Sequence, residues 1–203
     1  MPTDFDEKAT TWDDDPAKVE RARAVADAIC DVLEVGPPMR LLEYGAGTGL
    51  VSQFLADRVG AITLVEPSGG MRAVIARKVA DDTLPAGTRV WDVDLTTDPA
   101  PDERVDLIVT SMVLHHVHDL AAVATGFAIW LAEGGHVAAV DLDEEDGSFH
   151  DHGFDGRHGI ARHELATHLE AAGFVGVEFR PCGEVSKEGR SYPLFLATAT
   201  LPA

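Results

Sequence analysis

Residues 41–49 read Leu-Leu-Glu-Tyr-Gly-Ala-Gly-Thr-Gly, and an acidic residue, Glu66, closes the next apolar run. An apolar strand that enters a turn of three close glycines and then a helix leaves bare backbone for a nucleotide-like ligand to lie against. Glu66 falls where a second strand ends, placed to accept hydrogen bonds from ribose hydroxyls. A dinucleotide fingerprint has the spacing G-x-G-x-x-G. Here the third glycine, Gly49, comes one residue early after Gly45 and Gly47.

Outward from this turn, strands and helices alternate. Asp15-Pro16 is expected to start a helix, with Asp15 as N-cap and Pro16 in its first turn, and Gly36-Pro37-Pro38 to stop it. The pattern predicts strands over 39–44, 61–65, 88–93, 105–111 and 136–142. It predicts helices over 50–59, 70–80 and from Asp119 to Gly134-Gly135, the last carrying Val123, Phe127, Trp130 and Leu131. A loop over 143–160 leads to a helix over 162–172, closed by Gly173. Two strands, 175–180 and 192–200, end the chain. The connection between them is too short for a crossover helix, so the final pair is expected to be an antiparallel hairpin. The expected fold is therefore α/β: a Rossmann-like, doubly wound, seven-stranded sheet, mostly parallel, with helices on both faces. One domain spans 1–203, with an N-terminal lid and helix (1–38), a cofactor-binding half (39–142) and a substrate-side half (143–203).

Glu43-Tyr44-Gly45-Ala46-Gly47-Thr48-Gly49 resembles motif I of class I S-adenosylmethionine-dependent methyltransferases, in particular the small-molecule enzymes of the ubiquinone and menaquinone biosynthesis type. The terminal hairpin agrees with the sheet of that family. The resemblance runs from about Phe5 to the C-terminus and is most specific between Leu41 and His116. It implies that Glu43 and the Gly45, Ala46, Gly47 and Gly49 turn hold the methionine portion of the cofactor, and that Glu66, with Pro67 beside it, holds the ribose. Met71 is where the family often sets an apolar residue against adenine, and helix-core packing would explain it as well. Asp94 matches the adenine-binding acid, with Leu95 offering a backbone N–H. Val93 stands where the family often has glycine, which leaves Asp92 as the alternative. Ser111 and the following Met112-Val113-Leu114-His115-His116 resemble the stretch that faces both cofactor and acceptor.

The N-terminal Phe5 to Asp13 resembles the family's lead-in, which often folds over the cofactor. Trp12 could shield a sulfonium by cation–π attraction, and a disordered tail is the competing reading. Five of the nine histidines lie between His150 and His168. His150, His152 and His158 with Asp151 and Asp155 offer metal-ligand types, but their spacing matches no closed structural site, and no metal is expected. A loop after the fifth strand normally covers the acceptor pocket of this fold, so these three histidines are expected to line it. His168 shares an apolar stripe with Leu165 and Leu169 and is expected to pack.

Composition sets the outer bounds. The chain has 203 residues, 45% of them hydrophobic, enough for one full core. No apolar run approaches the ~20 residues of a membrane span, and the acidic N-terminus lacks the apolar segment of a secretory signal. Cys30 and Cys182 form no metal-type pair and read as reduced thiols of a cytoplasmic protein. A net charge of −19, with four lysines against twelve arginines, argues against binding a nucleic-acid backbone. The resemblance implies transfer of a methyl group from S-adenosylmethionine to a small-molecule acceptor. His115 and then His150 would be the general base where the acceptor must lose a proton. The alternatives are a non-catalytic cofactor-binding protein and an NAD-dependent oxidoreductase. Against the latter stand the early third glycine and the lack of a Tyr-x-x-x-Lys pair. The acceptor and the oligomeric state are not legible.

Overall fold

A computed structural model describes residues 4–98, 101–150 and 153–203, with only the backbone of Asp4. His152, which was expected at the acceptor pocket, and Asp151, which was weighed as a metal-ligand type, lie outside the described residues. Seven strands form one mixed sheet in the order β3-β2-β1-β4-β5-β7-β6, the α/β architecture anticipated from the alternating pattern. The chain divides into two compact units, residues 1–94 and 95–203.

The first unit opens with a short helix, α1 (Asp4–Lys8), and a 310 segment over Ala9–Asp14. Helix α2 (Pro16–Val32) follows, with Asp15 accepting from the Ala17 N–H as its cap. Its Ala22, Val25, Ala26 and Ile29 are buried. Strands β1 (Leu41–Tyr44), β2 (Ile62–Val65) and β3 (Arg89–Trp91) pair in parallel. β1 and β2 are buried along their whole length, as expected of strands covered on both faces. Helices α3 (Leu50–Leu55) and α4 (Gly69–Ala80) follow the first two strands. Ser68 caps α4 by accepting from the Met71 N–H.

In the second unit, β4 (Val105–Ser111) pairs in parallel with β5 (Leu131–Leu142), and α5 (Leu120–Trp130) connects them. Helix α6 (Arg162–Ala171) leads to β6 (Val175–Lys187), which forms an antiparallel hairpin with β7 (Arg190–Thr200). β7 also runs antiparallel to β5.

Two boundaries differ from the sequence expectation for identifiable reasons. Gly134-Gly135 was read as the stop after α5, but the helix ends at Trp130 and the glycines lie inside β5. Gly134 takes a positive φ of 78°, its N–H donates to the Leu201 carbonyl, and the Leu201 N–H returns a bond to Gly135. The β4–β5 register shifts between Val105 and Leu107. β6 extends well past Arg180 because it is the edge strand, where a bulge between Pro181 and Glu184 absorbs the proline. Among the described residues, no helix is long and apolar enough to cross a membrane.

Candidate functional site

In the first unit the turn after β1 is shaped by backbone conformation and by two buried acids. Gly45, Gly47 and Gly49 all have positive φ, between 56° and 75°. Gly49 is also sterically confined, since a Cβ there would lie 3.0 Å from Leu64 Cδ1 and 3.3 Å from Leu84 Cδ1. Gly47 is the opposite case: a Cβ there would meet nothing within 4 Å. The turn is hung from β2 by bonds from the Gly45 and Ala46 N–H groups to the Val65 carbonyl.

Glu43, 3% exposed, accepts from the Ser52 N–H at 2.9 Å and so ties the end of β1 to α3. Burial pushes its carboxyl pKa up to about 7, with the Ser52 hydrogen bonds opposing the shift. Glu66 spans the turn. One carboxylate oxygen accepts from the Gly47 N–H at 2.7 Å, and the other accepts from the Ser68 N–H at 2.8 Å. Burial raises its pKa too, against these two backbone bonds. Each carboxylate oxygen has a second lone pair, so this grip on the turn is compatible with accepting from a ligand.

Arg72 braces the far side. It donates to the Glu66 and Pro67 carbonyls and pairs with Asp92 at 2.9 Å. Asp92 is thus bound up in this brace, whereas Asp94 lies half-buried just past β3. Pro67 is exposed, and Met71 is buried in α4. Leu95 is buried and Ser111 half-buried in the second unit.

The N-terminal segment is docked on this region. Asp6 accepts from the Ser68 hydroxyl at 2.6 Å and from the Gly70 N–H at 2.7 Å. Asp13 accepts from the Thr48 hydroxyl at 2.5 Å and pairs with Lys78 at 2.6 Å. Trp12 packs against Ala9, Met71 and Val74, and the Lys18 ammonium lies 3.9 Å from its ring centroid. Neither anchoring aspartate was singled out from the sequence, because each contact joins segments far apart in the chain.

The second unit holds a separate polar cluster. His115 lies in a single 310 turn, Leu114–His116, after β4, and is 1% exposed. Its Nδ1 lies 2.5 Å from Asp141 of β5, which is fully buried. Asp141 also accepts from the His115 and Leu142 backbone N–H groups. A carboxylate can only accept, so Nδ1 is the ring nitrogen that donates to Asp141, and in the neutral ring Nε2 is then the acceptor.

His116 and His150 close around this imidazole, with ring centroids 4.3 and 5.1 Å from that of His115. Phe154 stacks on His150 at 3.6 Å. Burial, reinforced by the neighbouring His115, pushes the pKa of His116 and of His150 down to about 4. His158 is exposed, and its Nδ1 lies 3.6 Å from Glu145. His168 is half-buried beside Leu165 and Leu169, and its Nε2 lies 3.7 Å from Glu164.

Asp141 escaped the sequence reading. The available signal was a charged residue inside the otherwise apolar run 137–142, since a buried carboxylate needs a partner.

A methyltransferase domain model matches residues 18–178. The chain belongs to this methyltransferase domain family. It is 36% identical over 93 residues to the uncharacterized methyltransferase YrrT of Bacillus subtilis, covering 46% of this chain and 41% of that protein. The domain spans about half the length of the curated relatives it matches. Among solved structures, it superposes on a chain of the complex between the Haloferax volcanii Trm112 methyltransferase activator and a methyltransferase. The TM-score is 0.79 at 16% identity, and all of both chains is covered. It also superposes on the N-methyltransferase NodS of Bradyrhizobium japonicum bound to S-adenosylhomocysteine, with a TM-score of 0.69 at 17% identity over 93% of this chain and 87% of that one. At these identities the structural likeness concerns the methyltransferase fold alone.

Proposed function

We propose that this methyltransferase domain binds S-adenosylmethionine and transfers its methyl group to a small-molecule acceptor. The observation that carries the reading is Glu66, a buried acid at the end of β2 whose carboxylate grips an otherwise open glycine turn. That pairing suits a ligand with a ribose diol and an amino-acid end. Membership of the family and the cofactor product bound to NodS support it.

S-adenosylmethionine supplies an electrophilic methyl group that is already activated by its sulfonium charge, so the protein's share is alignment and exclusion of water. In this reading Glu66 accepts from the ribose hydroxyls. Glu43 and residues 45–49 fix the methionine end, and Asp94 and Leu95 meet the adenine edge. Pro67 and Met71 flank the nucleoside, Ser111 borders the methyl-transfer region, and the docked segment around Trp12 closes the site from water. Where the acceptor must lose a proton, the task falls to the histidine cluster. His115 heads it, oriented by Asp141 so that Nε2 can receive the proton, and the more exposed His150 assists.

Turnover with methyl-labelled cofactor against a panel of small hydroxyl, thiol and amine acceptors tests this. Label should pass to a small molecule. His115→Ala should lower kcat by about 100-fold or more while S-adenosylhomocysteine affinity stays within about twofold. Unchanged turnover across pH in His115→Ala removes that residue from the mechanism, and transfer only to protein or RNA overturns the acceptor class.

A further inference from the structure

The histidine cluster has a geometry that a proton-transfer role does not require. One ring nitrogen from each of His115, His116 and His150 can be chosen so that all three lie within 4.8 Å of one another. Nitrogens on a tetrahedral zinc are separated by about 3.4 Å, so convergence needs shifts of about 1 Å. We propose that His115, His116 and His150 bind a transition-metal ion of the zinc class, with Asp141 holding His115 from behind.

Three further observations support this site. His115 is fixed in the manner of a metal-ligating imidazole, its Nδ1–H donated to a buried carboxylate and Nε2 left to coordinate. His150 Nδ1 is buried with no hydrogen-bond partner, which leaves an unmet polar atom on one of the three rings. The loop that delivers His150 is pinned: Phe154 stacks on its ring, and the Arg157 N–H donates to the His115 carbonyl at 2.7 Å. Gly156 permits that approach, since a Cβ there would lie 2.8 Å from the same carbonyl. The expectation of no metal came from ligand spacing within residues 150–158. The set found here draws two of its three members, His115 and His116, from the turn after β4, far earlier in the chain than His150.

Three neutral imidazoles leave the ion its full charge and at least one open position, which favours an ionised oxygen or sulfur. Taken with the function proposed above, this points to an acceptor bearing a hydroxyl or thiol whose O–H or S–H proton passes to solvent water as its oxygen or sulfur binds the ion. His115 then acts as a ligand, and the ion takes over the lowering of the acceptor's pKa. That clause rests on the methyltransferase reading, whereas the metal site does not.

The test uses the full chain, free of any affinity tag and stripped with chelator, titrated with Zn2+ by calorimetry and with Co2+ by its visible absorption. The expected result is one equivalent per chain, with the Co2+ spectrum of a site of four or five ligands. His116→Ala and His150→Ala should each weaken binding by tenfold or more, and His163→Ala, an exposed helix histidine, should leave it unchanged. No uptake, or uptake equal in all four proteins, overturns the site. A parallel S-adenosylhomocysteine titration separates the two claims. Cofactor binding without metal binding sinks only the metal site, and metal binding without cofactor binding sinks only the methyltransferase reading.

Discussion

The glycine turn of the first unit and the histidine cluster of the second are both built around buried acids, and the acids are used differently. Glu43 and Glu66 accept from backbone N–H groups of the turns and helix around them, Glu43 from Ser52 and Glu66 from Gly47 and Ser68. They shape a turn whose contour does not depend on which side chains a ligand later meets. Asp141 also accepts from two backbone N–H groups, but in addition it reaches from β5 to the turn after β4 and fixes a side chain, the His115 ring. The first arrangement organises backbone, and the second organises chemistry. Their pKa shifts run in opposite directions: burial raises the carboxyls of the turn and lowers the imidazoles of the cluster. In each region it disfavours the charged form.

If the turn is set by backbone, its sharpest dependence is on Gly49. Alanine there must adopt a positive φ and press on Leu64 and Leu84. A loss of about 2–5 kcal/mol is expected from the left-handed backbone and overpacking together, read as the shift in a urea unfolding midpoint. A loss below about 1 kcal/mol would mean that the turn relaxes readily and is not backbone-determined.

Glu43 gives the next largest effect, and its sign follows from its raised pKa. The folded protein keeps a proton on Glu43 up to about pH 7, whereas the unfolded chain releases it near its ordinary value. Stability is therefore lost as pH rises between about 4.5 and 7, and it stays lost above. Glu43→Gln can still accept from the Ser52 N–H and carries no charge. Relative to the parent it should gain about 1–3 kcal/mol at pH 8 and little at pH 4.5. A variant-minus-parent difference that is flat across that range would show that Glu43 is not held protonated.

The same contrast explains what could be read from the sequence. The turn was legible because its parts are close in the chain: a strand, glycines whose positive φ few other residues accept, and an acid at the next strand end. The strand–helix alternation and the final hairpin were legible for the same reason, because hydrophobic periodicity and loop length are local. The histidine cluster was legible only in its parts. His115 and His150 were singled out one at a time, but their meeting depends on β5 carrying Asp141 alongside the turn after β4 and on the path of the loop that follows. Asp6 and Asp13 escaped likewise, since each anchors to a segment more than 30 residues away. Gly134-Gly135 misled because glycine pairs both stop helices and bulge strands, and only the pairing with Leu201 decides between them.

The most direct test of the account is calorimetric titration of the purified chain with S-adenosylhomocysteine, repeated with Glu66→Ala. Micromolar-range binding in the parent, weakened by about tenfold or more in the variant, or about 1.4 kcal/mol, is the predicted result. It would establish the glycine turn and Glu66 as the cofactor site. No heat and no thermal shift in the parent, or equal affinity in the variant, would contradict it.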